Sequence, residues 1–168
     1  MHFHLKLGWV VRLAMLGWLF CVGCSYGDSG YAPMEYGGNF GLGLELGDPG
    51  NWGITGKVWI DRRNAFQGAV KIPGGAAILQ LDYLWHDFDL IHMKNGEGEW
   101  PFYIGVGGDL SLETPTAFAA RLPVGISYIF NKRNVPVDIY LQLVPTLWFY
   151  TDRARFDLYP EVGAHYYF

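Results

Sequence analysis

Residues 156–168 read FDLYPEVGAHYYF, and their side chains alternate in polarity. Phe156 and Val162 fall on one parity, whereas Asp157 and Glu161 fall on the other. Successive side chains of a β-strand point to opposite faces, so a period of two indicates a strand with one apolar and one polar face. The segment therefore predicts a two-faced strand at the end of the chain.

The same alternation recurs from residue 39 onward, broken by turns rich in Gly, Pro, Asn and Asp. The predicted strands are 39–46, 52–60, 65–72, 77–86, 101–110, 118–130, 137–150 and 156–168. Eight strands of about ten residues joined by short turns are typical of the smallest transmembrane barrels. We therefore predict an all-β fold, an eight-stranded antiparallel up-and-down transmembrane β-barrel that follows a cleaved N-terminal signal.

The composition supports a membrane barrel and excludes several other classes. The chain has 168 residues, a net charge of −4, 51% hydrophobic and 17% charged residues, and 23 glycines. The acidic balance excludes nucleic acid as a partner, because phosphates require Lys and Arg. The aromatic content excludes disorder, and frequent glycine disfavours a helical bundle.

A soluble sandwich alternates in the same way, so composition must decide which face meets the surroundings. Solvent-facing strands this rich in Leu, Phe and Tyr would aggregate in water. The apolar face is therefore predicted to contact lipid. Aromatic residues at strand ends are predicted to lie at the membrane interface. They are Trp52, Trp85, Trp100, Trp148, Phe149 and Tyr150.

The N-terminal segment has the pattern of an export signal. Lys6 and Arg12 precede an apolar stretch, 13–23, which is too short for a spanning helix. Cys24 is preceded by Cys21-Val22-Gly23 and resembles a lipobox, while ordinary cleavage after Gly23 is the alternative. The predicted organisation is a signal peptide at 1–24, a tether at 25–38 and the barrel at 39–168.

The polar face of the strands is predicted to fill the barrel interior. Because an unpaired buried charge costs several kcal/mol, we expect a connected network of ion pairs and hydrogen bonds. The candidate members are Glu45, Lys57, Lys71, Asp82, Asp109, Arg121, Asp138, Glu161 and His165. A polar plug that fixes strand register is the favoured interpretation, and a proton or ion path or a buried catalytic group is the alternative. Eight strands leave no open pore.

Three prolines conflict with a closed sheet. Pro123, Pro145 and Pro160 fall inside predicted strands, where each removes a ladder hydrogen bond. We expect bulges or kinks at these positions. Because a bulge exchanges the two faces downstream of it, the orientation of Trp148 stays open.

The chain also resembles a family. The terminal pattern Glu161-x-Gly163-x-x-Tyr166-x-Phe168 resembles the signal by which outer-membrane barrels are recognised by their assembly machinery. Internal motifs, such as Asp82-Tyr83-Leu84-Trp85-His86, are similar to those of small bacterial barrels of OmpX- and OmpA-like architecture, with a spirochaete branch that engages host complement regulators. The resemblance implies an outer-membrane location and no catalytic residues.

We therefore expect a non-enzymatic outer-membrane protein of structural or interaction type, without cofactor or metal. Expected partners are membrane lipids, lipopolysaccharide contacted by Arg153 and Arg155, the barrel assembly machinery, and a host or envelope protein. One alternative is a lipid A-modifying enzyme, in which Ser127 and His165 approach across strands. The other is a soluble periplasmic lipocalin-like binding protein, which requires Leu and Phe inside the barrel.

Overall fold

The computed structural model describes residues 37–47, 52–72, 77–91, 98–114, 116–130 and 135–168. The predicted signal peptide and nearly all of the predicted tether lie outside these residues. Every regular element described is a β-strand. The strands are β1 (Phe40–Leu46), β2 (Trp52–Trp59), β3 (Asn64–Lys71), β4 (Ile78–Asp87), β5 (Gly98–Glu99), β6 (Phe102–Ser111), β7 (Ala117–Arg121), β8 (Val124–Phe130), β9 (Val137–Phe149) and β10 (Ala154–Tyr167). Within the described ranges, no helix has the length and apolar character needed to cross a membrane.

The strands form one closed antiparallel sheet. β10 pairs with β9 along one edge and with β1 along the other, which joins the two ends of the strand order. β5 continues β6, because Gly98 opposite Phe130 and Phe102 opposite Ile126 belong to one register. β7 and β8 are likewise two halves of one barrel strand. The prediction of an eight-stranded antiparallel barrel is thus confirmed.

The predicted strand 118–130 is interrupted where β7 ends and β8 begins. Pro123 has no N–H to donate, although its carbonyl accepts a hydrogen bond of 2.7 Å from the Gly105 N–H. The Leu122 N–H donates to the Pro145 carbonyl over 3.0 Å. Both halves keep one register against β9, as Arg121 opposite Thr146 and Val124 opposite Leu143 demonstrate.

The expectation of bulges at the prolines is therefore wrong for this strand, and the faces do not exchange. Pro145 and Pro160 also lie within unbroken pairings between β9 and β10. Trp148 consequently faces inward and is 7% exposed, so its predicted place at the membrane interface is wrong. Trp52 and Trp85 do face outward, with 59% and 60% of their surface exposed.

The barrel has an apolar exterior and a polar interior. Leu81, Ile104 and Leu141 are more than half exposed on the outside, whereas Lys57 and Asp138 are completely buried. Aromatic and aliphatic groups also lie inside, at both ends of the strands. One cluster holds Trp59, Ala65, Ile129 and Tyr167 with Phe88 beside it, and another holds Ala117, Ala119 and Trp148.

Glycines on the inner face make room for tyrosine rings from the neighbouring strand. A Cβ on Gly125 would lie 2.6 Å from the Tyr103 ring, far inside van der Waals contact. A ring that covers a cross-strand glycine shields the bare backbone and helps to fix register. The cross-strand pairs of this kind are Tyr103–Gly125, Tyr140–Gly163 and Tyr167–Gly41.

Candidate functional site: the polar network inside the barrel

The structure places every sequence-predicted interior residue on the inner face, and each is at most 7% exposed. These residues are Glu45, Lys57, Lys71, Asp82, Asp109, Arg121, Asp138, Glu161 and His165. They form two groups, one around Arg121 and Lys71 and the other around Asp138.

Arg121 connects three carboxylates from three other strands. Its Nε lies 3.0 Å from Asp82 Oδ1, its Nη1 donates to Asp109 over 3.0 Å, and its Nη2 donates to Glu161 Oε2 over 2.7 Å. The planar guanidinium suits this task because its N–H groups point in several fixed directions. Arg121 thus ties β4, β6 and β10 to β7.

Lys71 extends the same group toward β1. Its ammonium lies 2.6 Å from both Glu45 Oε1 and Glu161 Oε1. Gln142 donates to Glu161 over 2.6 Å, and the Tyr140 hydroxyl donates to Glu45 over 2.5 Å. We call Lys71, Arg121 and the carboxylates of Glu45, Asp82, Asp109 and Glu161 the Arg121 group.

Two of these ion pairs join residues on strands that are not neighbours. In each case a glycine on the strand between them leaves room for the two charged side chains to meet. Gly107 on β6 lies between Asp82 on β4 and Arg121 on β7, opposite both in register. Gly53 on β2 holds the same position between Glu45 and Lys71. A side chain at either glycine would occupy the space through which the charged groups meet, as the close approach of Lys71 Cγ, 2.7 Å from a Cβ on Gly53, illustrates.

Asp138 accepts hydrogen bonds at both carboxylate oxygens. Oδ1 accepts from the His165 backbone N–H over 3.2 Å and lies 2.8 Å from His165 Nδ1. Oδ2 accepts from the Tyr167 hydroxyl over 2.9 Å and lies 3.4 Å from Lys57 Nζ. Tyr167 in turn accepts from the Trp59 indole N–H over 3.1 Å. This carboxylate is thus fully enclosed by donors.

Lys57 also determines which ring nitrogen of His86 carries the proton. Lys57 Nζ lies 3.1 Å from His86 Nε2, and an ammonium group has only donors to offer. His86 therefore accepts at Nε2 and donates from Nδ1 to the Arg63 carbonyl over 3.1 Å. The Lys57 ammonium also stands 4.5 Å from the centre of the Trp59 ring, a favourable cation–π distance.

Asp138, His165 and Thr55 follow the order of acid, base and hydroxyl used by hydrolytic triads. His165 Nε2 lies 3.2 Å from Thr55 Oγ1, whose hydroxyl donates to the Gly68 carbonyl over 3.1 Å. All three residues are at most 1% exposed, so this hydroxyl is closed to any substrate in the described structure. The arrangement joins strands rather than presenting a nucleophile.

The approach of Ser127 to His165 that the lipid A-modifying alternative requires does not occur. The two ring nitrogens of His165 instead contact Asp138 and Thr55. Among the described residues, the buried Ser127 hydroxyl has no hydrogen-bond partner. Across the described residues there is also no group of three His, Cys, Asp or Glu side chains able to hold a metal ion.

The predicted network contained only charged side chains and His165, and it left out the aromatic, amide and hydroxyl groups that share the polar face of the strands. The omitted residues are Thr55, Trp59, Gln67, Gln80, His86, Tyr103, Tyr140, Gln142, Thr146 and Tyr167. Each shares its parity with a charged residue on its own strand, as Trp59 does with Lys57. Strand parity, without regard to residue type, therefore predicts that these residues face inward.

The four residues of the predicted assembly signal divide between the two faces. Glu161 is buried in the Arg121 group and Gly163 lies beneath the Tyr140 ring. Tyr166 and Phe168 face outward, 49% and 67% exposed, with ring centres 5.1 Å apart. In the folded barrel, only the aromatic half of the pattern is accessible.

Comparison with known proteins does not assign the chain to a family. No family model, curated protein or solved structure matches the chain. The OmpX- and OmpA-like resemblance and its spirochaete branch thus remain expectations from short motifs. What the structure itself establishes is a small closed antiparallel β-barrel with charged side chains buried in its interior.

Proposed function

We propose that this chain is an integral outer-membrane β-barrel of structural or interaction type, without catalytic activity. The observation that carries the proposal is the polarity of the barrel. Large apolar side chains cover the outside, while the charged and amide side chains are buried. Hydrocarbon solvates such an exterior, whereas water does not.

The closed sheet fits the same surroundings. In hydrocarbon every backbone N–H and C=O must find a partner within the protein, and a closed barrel has no free edge. The lipocalin-like alternative requires an apolar interior, and the interior here holds Lys57, Asp138 and Arg121. The polarity therefore favours a membrane barrel over a soluble binding protein.

The filled interior supports a structural role over a transport role. Arg121 and Asp138 each connect several strands through short contacts. Aromatic residues from the two apolar clusters, Trp59 and Trp148, lie buried toward opposite ends of the barrel. An eight-stranded barrel has an interior just wide enough for side chains to fill.

Single cysteines on the outer face test the membrane location. The variants are Ile104→Cys and Leu141→Cys, in a chain whose Cys21 and Cys24 are replaced by serine. Because both positions face outward at mid-strand, we expect labelling by a membrane-partitioning maleimide and none by a charged maleimide in isolated outer membranes. Arg155→Cys, at an exposed strand end, is the control and should react with the charged reagent.

Two results would contradict the proposal. One is efficient labelling of Ile104→Cys by the charged reagent. The other is recovery of the unmodified chain in the soluble periplasmic fraction after cell lysis. Either result would place the outer face in water.

We further propose that the turn between β9 and β10 contacts lipopolysaccharide phosphates. Arg153 is exposed beside the Tyr150 ring, at 5.6 Å, and Arg155 lies next to it with Asp157 as its ion-pair partner. A basic residue near an anionic membrane surface contributes about 1 kcal/mol. This turn faces outward if both chain ends lie in the periplasm.

Charge reversal at Arg153 tests this contact. We expect Arg153→Glu to weaken binding of the purified barrel to lipopolysaccharide roughly thirty-fold at low salt, since about 2 kcal/mol of electrostatic attraction is removed. Arg62→Glu, exposed at the opposite end of the barrel, should leave the affinity unchanged. Equal losses in both variants, or none in either, would show that this turn has no specific contact.

A further inference from the structure

The strands on the two sides of the barrel differ greatly in length. β1 has 7 residues and β2 and β3 have 8 each, whereas β9 has 13 and β10 has 14. With a rise of about 3.3 Å per residue and a tilt of about 40° from the barrel axis, β1 spans about 18 Å along the axis and β10 about 35 Å. We call the outer face of β1, β2 and β3 the low side, and the outer face of β7, β8 and β9 the tall side.

The difference in length forms a step between β1 and β10. At the end of the barrel near Phe168 the two strands stop together, because Gly41 lies opposite Tyr167. At the other end β1 stops at Leu46, opposite Val162, while β10 continues through residues 154–161. Among the described residues, no strand pairs with this part of β10 on the side of β1.

The backbone of β10 beyond Val162 therefore needs polar surroundings. The Phe168 N–H donates to the Phe40 carbonyl, so every second residue of β10, counted back from Phe168, directs its N–H and C=O toward β1. Beyond Val162 these residues are Pro160, Leu158 and Phe156. Unpaired backbone groups are strongly unfavourable in hydrocarbon, whereas water and lipid headgroups can satisfy them. The hydrocarbon beside β1 is thus expected to end close to Val162.

The low side gives the same limit from its own residues. Leu46 faces outward and is 58% exposed, and the chain continues with Gly47 and Asp48. A Cβ on Gly47 would lie 3.0 Å from Lys71 Nζ and 3.4 Å from Glu161 Cγ, so the charged Arg121 group comes close to the end of β1. Hydrocarbon that extended beyond Leu46 would meet charged and polar groups.

The tall side is apolar over a greater height. Phe118 lies opposite Phe149, near the ends of β7 and β9, and the two rings stack with centres 4.9 Å apart. Phe118 is 59% exposed on the outside of the barrel. The apolar band of a membrane barrel is about 25 Å tall, so the low side is several ångström too short for it. A bilayer adapts to such a mismatch by becoming thinner beside the short surface.

We propose that the barrel thins the surrounding bilayer on one side, along the low side and its junction with β10, and leaves it at ordinary thickness on the tall side. The interacting partner is the lipid itself, whose chains must tilt or compress to end at Leu46 and Val162. This inference rests on the membrane location proposed above, because it assigns a lipid contact to the outer face.

Two matched positions test the asymmetry. Leu46 on β1 and Leu143 on β9 both face outward, 58% and 52% exposed, and each lies six residues from the strand end near Phe168. Each is replaced by cysteine in the full chain without Cys21 and Cys24, spin-labelled and refolded in oleoyl phosphatidylcholine vesicles. Electron paramagnetic resonance then compares collisions of the label with oxygen, which enters hydrocarbon, and with a polar nickel chelate. We expect nickel collisions at least about ten-fold more frequent at Leu46→Cys than at Leu143→Cys, since a polar complex is excluded from hydrocarbon.

The outcomes separate this inference from the membrane location. Equal depth of the two labels in hydrocarbon would overturn the thinning and leave the membrane barrel standing. Free access of the nickel chelate to both labels would contradict the membrane location and the thinning together. Protection of the Leu46→Cys label from both oxygen and nickel would indicate a protein partner on the low side, and would also overturn the proposal.

Val162→Cys repeats the measurement on the other side of the step, so the test does not depend on the folding of one variant. Val162 lies opposite Leu46 and is 42% exposed, and its label should report the same shallow depth. Replacing oleoyl chains by shorter myristoyl chains should leave the depth at Leu46 and Val162 unchanged, because polar groups fix the edge of the hydrocarbon there. Labels that sink deeper as the chains lengthen would show a bilayer of uniform thickness and contradict the assignment.

Discussion

Arg121→Met is expected to destabilise the barrel by about 3–5 kcal/mol, the usual cost of removing one partner from a buried ion pair. Methionine keeps much of the side-chain length and apolar stem but removes the charge. Asp82, Asp109 and Glu161 would then lose the cation that they share. Because folded domains are stable by only about 5–15 kcal/mol, this is a large fraction of the total.

The measurement is urea unfolding of the refolded barrel in detergent, with the folded fraction read from its mobility in unheated gels. Arg155→Met is the matched control, because Arg155 forms an ion pair with Asp157 but its side chain is 61% exposed. Exposed pairs contribute about 0–1 kcal/mol, so this variant should unfold close to the unmodified chain. Similar losses in the two variants would mean that burial does not govern the contribution of the Arg121 group.

A double substitution isolates the cause of the loss. In Arg121→Met combined with Asp82→Asn, one uncompensated carboxylate becomes a neutral amide. We expect the double variant to be more stable than Arg121→Met alone, by roughly 1–3 kcal/mol of coupling between neighbouring residues. Additive losses would indicate that Arg121 stabilises the barrel through packing of its stem and not through its charge.

Which residues face inward could be predicted from sequence, because side-chain parity is a local property of a strand. The parity of Lys57, Arg121 and Glu161 within their own strands alone predicts that they face inward, and all three are buried. The sheet maintains this parity through Pro123 because its pairing continues in one register on both sides. Pro123 thus removes one ladder hydrogen bond without changing the register of its strand.

The partners of these residues could not be predicted, because they depend on how the strands are staggered around the barrel. Lys57 meets Asp138 across 81 positions of sequence, and Tyr140 meets Glu45 across 95. No periodicity within either strand contains that information. The triad-like order of Asp138, His165 and Thr55 was invisible for the same reason, since it joins three separate strands.

Trp148 illustrates how residue type misleads when register is unknown. Its position near a strand end suggested the membrane interface, yet its parity matches Gln142 and Thr146, which face inward. The ring closes the apolar cluster with Ala117 and Ala119. Ala119 lies opposite Trp148 in the pairing of β7 with β9, and its small side chain leaves space for the indole ring. That pairing cannot be deduced from β9 alone.

Gly107→Ala is expected to cost at least about 3 kcal/mol, because it removes a cross-strand ion pair without altering either charged residue. A Cβ on Gly107 would collide with Asp82 and with the Leu81 carbonyl, and the backbone atoms among these cannot rotate away. The strand must shift, or Asp82 must leave Arg121, and a separated buried pair loses about 3–5 kcal/mol.

Gly56→Ala is the control for the same substitution in a strand of the same barrel. The nearest atom to a Cβ at Gly56 is the Gly41 carbonyl oxygen at 3.5 Å, an ordinary contact, so unfolding should change little. In a chain that also carries Arg121→Met, the cost of Gly107→Ala should fall to the steric part alone, roughly 1–3 kcal/mol. An unchanged cost in that background would mean that Gly107 accommodates backbone packing and does not serve the ion pair that spans it.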